Sequence, residues 1–138
     1  MQFWKQENMF FTLHILLMAT STLGIITGVS TAMFFRKKKN WMKIHKMVNS
    51  ISFIGISAGI VMAFSYVYGT GDEHFDGVHQ IIGLTAFASA VITIFLGFYQ
   101  FKAKNKLAIR MTHRWLGRFS LVMVLTAIIL GLTLINII

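Results

Sequence analysis

The stretch NMFFTLHILLMATSTLGIITGVSTAMFF, residues 8–35, contains no Asp, Glu, Lys or Arg. A bilayer hydrocarbon core of roughly 30 Å is crossed by about 20 helical residues, so this segment alone is long enough to span. Three more uncharged stretches of sufficient length follow at 47–71, 77–101 and 119–138. Strands or open loops would leave their backbone groups unpaired in lipid, so each stretch is expected to be a helix. The pattern predicts an all-α membrane protein: a four-helix transmembrane bundle, antiparallel up-down, in a single domain over 1–138. Its helices are expected near 9–35, 41–68, 77–101 and 112–137.

Composition agrees. Of 138 residues, 56% are hydrophobic and the mean hydropathy is +0.69, outside the usual range of soluble domains. Cysteine is absent, which excludes disulfides and thiolate metal sites. Proline is absent too, so no helix requires a proline kink. The N-terminus, MQFWKQENMF, has neither the basic start nor the small-residue cleavage site of a signal peptide. Its apolar run is expected to be retained as a helix.

The net charge of +9 is unevenly placed. Of 13 Lys and Arg residues, all but Lys5 fall within 36–46 or 102–118. The acids Glu7, Asp72, Glu73 and Asp76 lie in the N-terminal tail and the middle loop. Basic residues in short loops mark the cytoplasmic side. Both termini and the loop at 69–76 are therefore expected on the non-cytoplasmic side. The basic charge reads as a topology signal that also attracts anionic lipid; nucleic acid is not an expected partner.

Histidines stand at 14, 45, 74, 79 and 113. With His74 set aside in the polar loop, successive histidines are separated each time by one helix plus one short connection. Each remaining histidine is therefore expected near the beginning of its own helix. Because successive helices reverse direction, His14 and His79 are expected near the outer face, and His45 and His113 near the cytoplasmic face. Glycines follow in register: Gly24 and Gly28 after His14, Gly55 and Gly59 after His45, Gly83 and Gly97 after His79, Gly117 and Gly131 after His113. At the helical repeat, the glycines four, fourteen and eighteen places on lie within about 40° of the histidine direction, and the last of these offsets rises about 27 Å. Such glycines leave room for a flat macrocycle; equally, they let helices approach closely.

Intramembrane ionisable residues are functional candidates by default. Two histidines per level, with no cysteine and no acid in the spans, leave a tetrahedral zinc site incomplete. Two imidazoles do complete a haem iron, whose other four ligands come from the porphyrin. The metal ligands expected are thus His14, His79, His45 and His113, and the cofactor two haems. Filled axial positions favour electron transfer over oxygen chemistry.

The segments HRWLGRFSLVMVLTAIILGL at 113–132, FDGVHQIIGLTAFASAVITIFLG at 75–97 and FFRKKKNWMKIH at 34–45 resemble the cytochrome b561 family. The resemblance covers roughly residues 12–134. It implies an outer haem held by His14 and His79, a cytoplasmic haem held by His45 and His113, and transmembrane electron transfer. The donor it implies is cytoplasmic and ascorbate-like; the acceptor is monodehydroascorbate or ferric iron on the other side. Many family members have six helices, whereas four are expected here with no fused donor domain. The ascorbate-associated motifs of the animal and plant enzymes do not stand out, so a quinol-linked dihaem oxidoreductase and a haem-free structural subunit remain alternatives. A transmembrane reductase, assembled as a homodimer or within a larger redox complex, is the form considered.

Around the cytoplasmic pair, Lys43, Lys46, Arg110, Arg114 and Arg118 offer contacts for haem propionates or an anionic donor. Their other reading is topology with snorkelling side chains. Tyr66, Tyr68, Asp72, Glu73, His74 and Asp76 form an outer polar cap, read mainly as a solvated loop. His79 is preferred to His74 as ligand because it enters the helix ahead of Gly83. Asn49 and Gln80 are expected to make interhelical hydrogen bonds, and the methionines to pack. Lys/Asn-rich loops point to a bacterial inner membrane.

Overall fold

The computed structural model describes residues 2–71, 74–75 and 77–137, with side chains from residue 9 onward. Four helices carry the described chain: α1 (Gln2–Phe34), α2 (Trp41–Thr70), α3 (Val78–Tyr99) and α4 (Lys106–Leu134). All four contain a segment long and apolar enough to cross a membrane. The chain is an integral, multi-pass, all-α membrane protein, as the uncharged stretches predict.

Two helices begin earlier than expected. Helix α1 starts at Gln2 rather than near 9, because the tail holds no glycine or proline to stop it. Helix α4 starts at Lys106 rather than near 112, where the Asn105 side chain accepts a hydrogen bond from the Ala108 amide at 3.1 Å. That cap satisfies one of the amides orphaned at the helix start. Absence of charge marks the part of a helix that lies in lipid, and the helix itself continues into the polar boundary. At the end of α2, Gly71 turns left-handed at φ 77° and returns its amide to the Val67 carbonyl. Glycine adopts that backbone without a Cβ penalty.

The chain divides into two compact units, Met1–Gln80 and Ile81–Ile138. In the first, α1 and α2 pack antiparallel. In the second, α4 packs antiparallel on α3. What is buried is small: Ile56, Ala86, Ala90, Ala103, Val124 and Ala127, with Ser21, Thr22, Ser52, Ser89 and Ser120. Large apolar side chains such as Leu23, Ile54, Phe95 and Ile129 point outward. Lipid supplies no hydrophobic drive between helices, so small residues that allow close backbone approach make the interior. Hydroxyls within the spans bond back to their own helix: Thr27 to the Leu23 carbonyl, Ser57 to Phe53 and Thr126 to Val122, each within 2.9 Å. This keeps polar atoms satisfied where no water is present.

Candidate haem-binding sites

In the first unit the two helices exchange matching contacts. His14 on α1 donates through Nδ1 to the Gly59 carbonyl on α2 at 2.8 Å. His45 on α2 donates through Nδ1 to the Gly28 carbonyl on α1, also at 2.8 Å. Each acceptor glycine stands fourteen places after the other helix's histidine, a rise of about 21 Å. The two histidines therefore occupy opposite ends of the α1/α2 pair. A carbonyl only accepts, so Nδ1 carries the proton and Nε2 keeps its lone pair. In a neutral ring that arrangement leaves Nε2 as the nitrogen able to bind a metal, and the carbonyl bond orients the ring.

The glycines make this approach possible. A Cβ on Gly59 would lie 2.9 Å from Met18 Sδ, and one on Gly28 would lie 2.6 Å from Asn49 Cγ. Gly24 faces Ser52, and Gly55 faces Ser21, so closely that a Cβ on either glycine would require the serine hydroxyl to turn away. In this unit the close-approach reading of the glycines is the one realised, and their space is filled by the neighbouring helix. Asn49 differs from expectation: its amide donates within its own helix, to the His45 carbonyl at 2.7 Å, and lies over Gly28. Nδ2 is also 3.0 Å from His45 Nδ1. Since Nδ1 spends its proton on Gly28, this second approach is an electrostatic contact rather than a hydrogen bond.

His79, at the start of α3, brings its ring to 6.3 Å from the His14 ring, centroid to centroid, with the planes at 86°. Of the sequence-predicted ligands, His14 and His79 are thus a pair whose rings the structure brings close together. His74 is placed elsewhere, against Phe64 at 5.1 Å and Phe75 at 6.4 Å. Tyr66 lies against Phe11 at 5.1 Å, while Asp72, Glu73 and Asp76 fall outside the described residues. Gln80 holds a buried Oε1 with no hydrogen-bond partner among the described residues, so no interhelical bond is seen there.

The second unit repeats the histidine contact. His113 on α4 donates through Nδ1 to the Thr93 carbonyl on α3 at 2.9 Å. Gly97 faces this ring, and a Cβ there would stand 3.0 Å from His113 Cε1. Thr93 and Ser89 spend their hydroxyl protons on the Ser89 and Ala86 carbonyls. Ser120 Oγ then lies 2.9 Å from Ser89 Oγ and 3.2 Å from Thr93 Oγ1, joining α4 to α3 beside the carbonyl that holds His113. Gly83 has nothing within 4 Å among the described residues.

Of the basic residues, Lys43, Arg110, Arg114 and Arg118 are placed toward the surface and Lys46 is half-buried. The Arg118 guanidinium lies 5.1 Å over the Trp115 ring, an arrangement suited to the membrane boundary. Gly28 and Gly59 stand out in the sequence for their missing side chains but not as carbonyl acceptors, and Thr93 does not stand out at all, because every residue has a carbonyl. Their common position, fourteen places after a histidine, is the signal that marks them.

A family model described as eukaryotic cytochrome b561 matches residues 8–137. No curated relative and no solved structure matches the chain. With nearly the whole chain matched, the protein belongs to the cytochrome b561 family.

Proposed function

We propose that this protein moves electrons across its membrane with two bis-histidine b-type haems, one held by His14 and His79 and one by His45 and His113. Membership of a haem b-binding family already implies haem-based transmembrane electron transfer with small redox partners. The observation that carries the finer reading is the shared Nδ1-to-carbonyl bond at His14, His45 and His113. His14 with His79 rests in addition on their ring separation of 6.3 Å. The pairing of His45 with His113 rests on register and on the family resemblance.

Bound haem would supply one-electron chemistry, with these histidines as the residues that would hold it. The protein's own part is to fix ring orientation through the carbonyl bonds, and to exclude water with an apolar surround. Lys43, Lys46, Arg114 and Arg118 supply positive charge at the basic end. There they are read as contacts for propionates or for an anionic, ascorbate-like donor on the cytoplasmic side. The acceptor, monodehydroascorbate or ferric iron, would meet the opposite face, where both chain termini are placed by the charge asymmetry. The Lys/Asn-rich loops favour a bacterial plasma membrane as host; the eukaryotic description of the family model weighs the other way.

The test is haem stoichiometry with a reduced-minus-oxidised spectrum on the purified protein. Two haems per chain are expected, falling to one in His14→Ala and to one in His45→Ala. Unchanged haem content in both variants would refute the assignment. Stopped-flow reduction by ascorbate against quinol then separates the donors, and rapid reduction by quinol alone would replace the ascorbate reading.

A further inference from the structure

The two ends of the α1/α2 pair match in their histidine-to-carbonyl bonds and differ in the side chain four places past each histidine. Four residues after His14 stands Met18, and four residues after His45 stands Asn49. Met18 lies over Gly59, whose carbonyl takes the His14 proton, and Asn49 lies over Gly28, whose carbonyl takes the His45 proton. Both carbonyl bonds measure 2.8 Å. What differs is the group covering that glycine: an apolar thioether at one end and, at the other, a carboxamide that also reaches the His45 ring.

The orientation of that carboxamide follows from its neighbours. With Nδ2 toward the His45 carbonyl, the 2.7 Å approach is a hydrogen bond. Reversed, it would set two acceptor oxygens against each other. The same Nδ2, the positive end of the amide dipole, is 3.0 Å from His45 Nδ1. It faces a ring N–H that is already positively polarised.

We propose that Asn49 raises the reduction potential of the haem held by His45 relative to the haem held by His14, acting through the His45 imidazole as a positioning residue. The inference rests on the haem reading above. The couple is one electron at iron, ferric to ferrous, with no bond made or broken. The carbonyl bond pushes electron density into each imidazole and so favours the ferric state. At the His45 end the amide dipole opposes that push, and in a medium of low dielectric a dipole so close is little screened. At the His14 end Met18 supplies no such opposition. The amide dipole thereby adds a difference in potential between two ends whose carbonyl bonds are alike.

The test is a redox titration of the purified holoprotein, with the component lost in His45→Ala identifying the His45 haem. Asn49→Leu, which keeps the shape and removes the dipole, is expected to lower that component alone. A shift of about tenfold in the oxidised-to-reduced ratio at fixed ambient potential, about 59 mV for one electron, is expected. Met18→Asn is expected to raise the other component. An Asn49→Leu protein with both haems present and its His45 component unmoved overturns the proposal. If Asn49→Leu loses haem, an unmoved His14 component in Met18→Asn overturns it instead. Retention of both haems in His45→Ala would overturn the haem assignment, and this inference with it.

Discussion

In the α1/α2 pair the residue four places after each histidine is large, Met18 or Asn49, and it covers the glycine fourteen places after the other histidine. In the α3/α4 pair the sizes are exchanged. Gly117 stands four places after His113, and the bulk lies on α3 at Thr93, fourteen places after His79. A Cβ on Gly117 would meet Thr93 Cγ2 at 3.5 Å, an ordinary contact. Yet the histidine bond survives the exchange, at 2.8 Å in one pair and 2.9 Å in the other. A second contact recurs as well. The residue ten places after one histidine meets the residue seven places after the other: Gly24 with Ser52, Gly55 with Ser21, and Ser89 with Ser120. The comparison teaches that backbone spacing is what these pairs preserve. Side chains need only sum to the right volume at each crossing, which is how close-packed interiors tolerate compensated change.

The most damaging way to break the comparison is to fill Gly97, because His113 stands directly in front of it. Gly97→Leu is expected to displace the His113 ring and remove one of the two proposed haems, read from the pyridine haemochrome spectrum. Gly83→Leu provides the contrast, since nothing described lies within 4 Å of Gly83. Its folding should be unaffected in the apoprotein, so any loss of haem there would report space needed by the cofactor. Next in size is Gly28→Ala, which is expected to cost about 1–3 kcal/mol in thermal unfolding in detergent, by overpacking against Asn49. Adding Asn49→Ala should recover most of that loss, whereas Gly117→Ala should cost less than about 1 kcal/mol. Equal costs for Gly28→Ala and Gly117→Ala would remove the exchanged-size account.

Smaller effects sharpen the picture. Lys43→Ala and Arg114→Ala are expected to slow reduction by an anionic donor, most at low ionic strength, and to leave haem content unchanged. Ser120→Ala is expected to cost about 0.6 kcal/mol, the average for a hydrogen bond between membrane helices. It should loosen α4 against α3 without moving the Soret band, since Thr93 still offers its carbonyl to His113.

Much of this architecture is legible along the chain. Four uncharged stretches announce four helices because charge is costly in lipid wherever it falls. Gly71, and Asn105 ahead of α4, mark helix ends by local chemistry alone. The register of the four histidines is equally local, since spacing along a helix translates directly into depth. His79 and His74, five residues apart, are harder to distinguish. They separate only when α3 starts at Val78, which lifts His79 toward His14 and leaves His74 among Phe64 and Phe75.

Hydropathy and helical rise, read along the chain alone, fix which segments are able to cross the membrane and which histidine stands in the first half of each. The partners of those histidines were decided by tertiary structure. A carbonyl has no signature in sequence, and whether a glycine makes room for a cofactor or for the next helix depends on what packs against it. Around Gly28 and Gly59 the answer is the next helix, drawn close enough that each backbone orients the other's histidine.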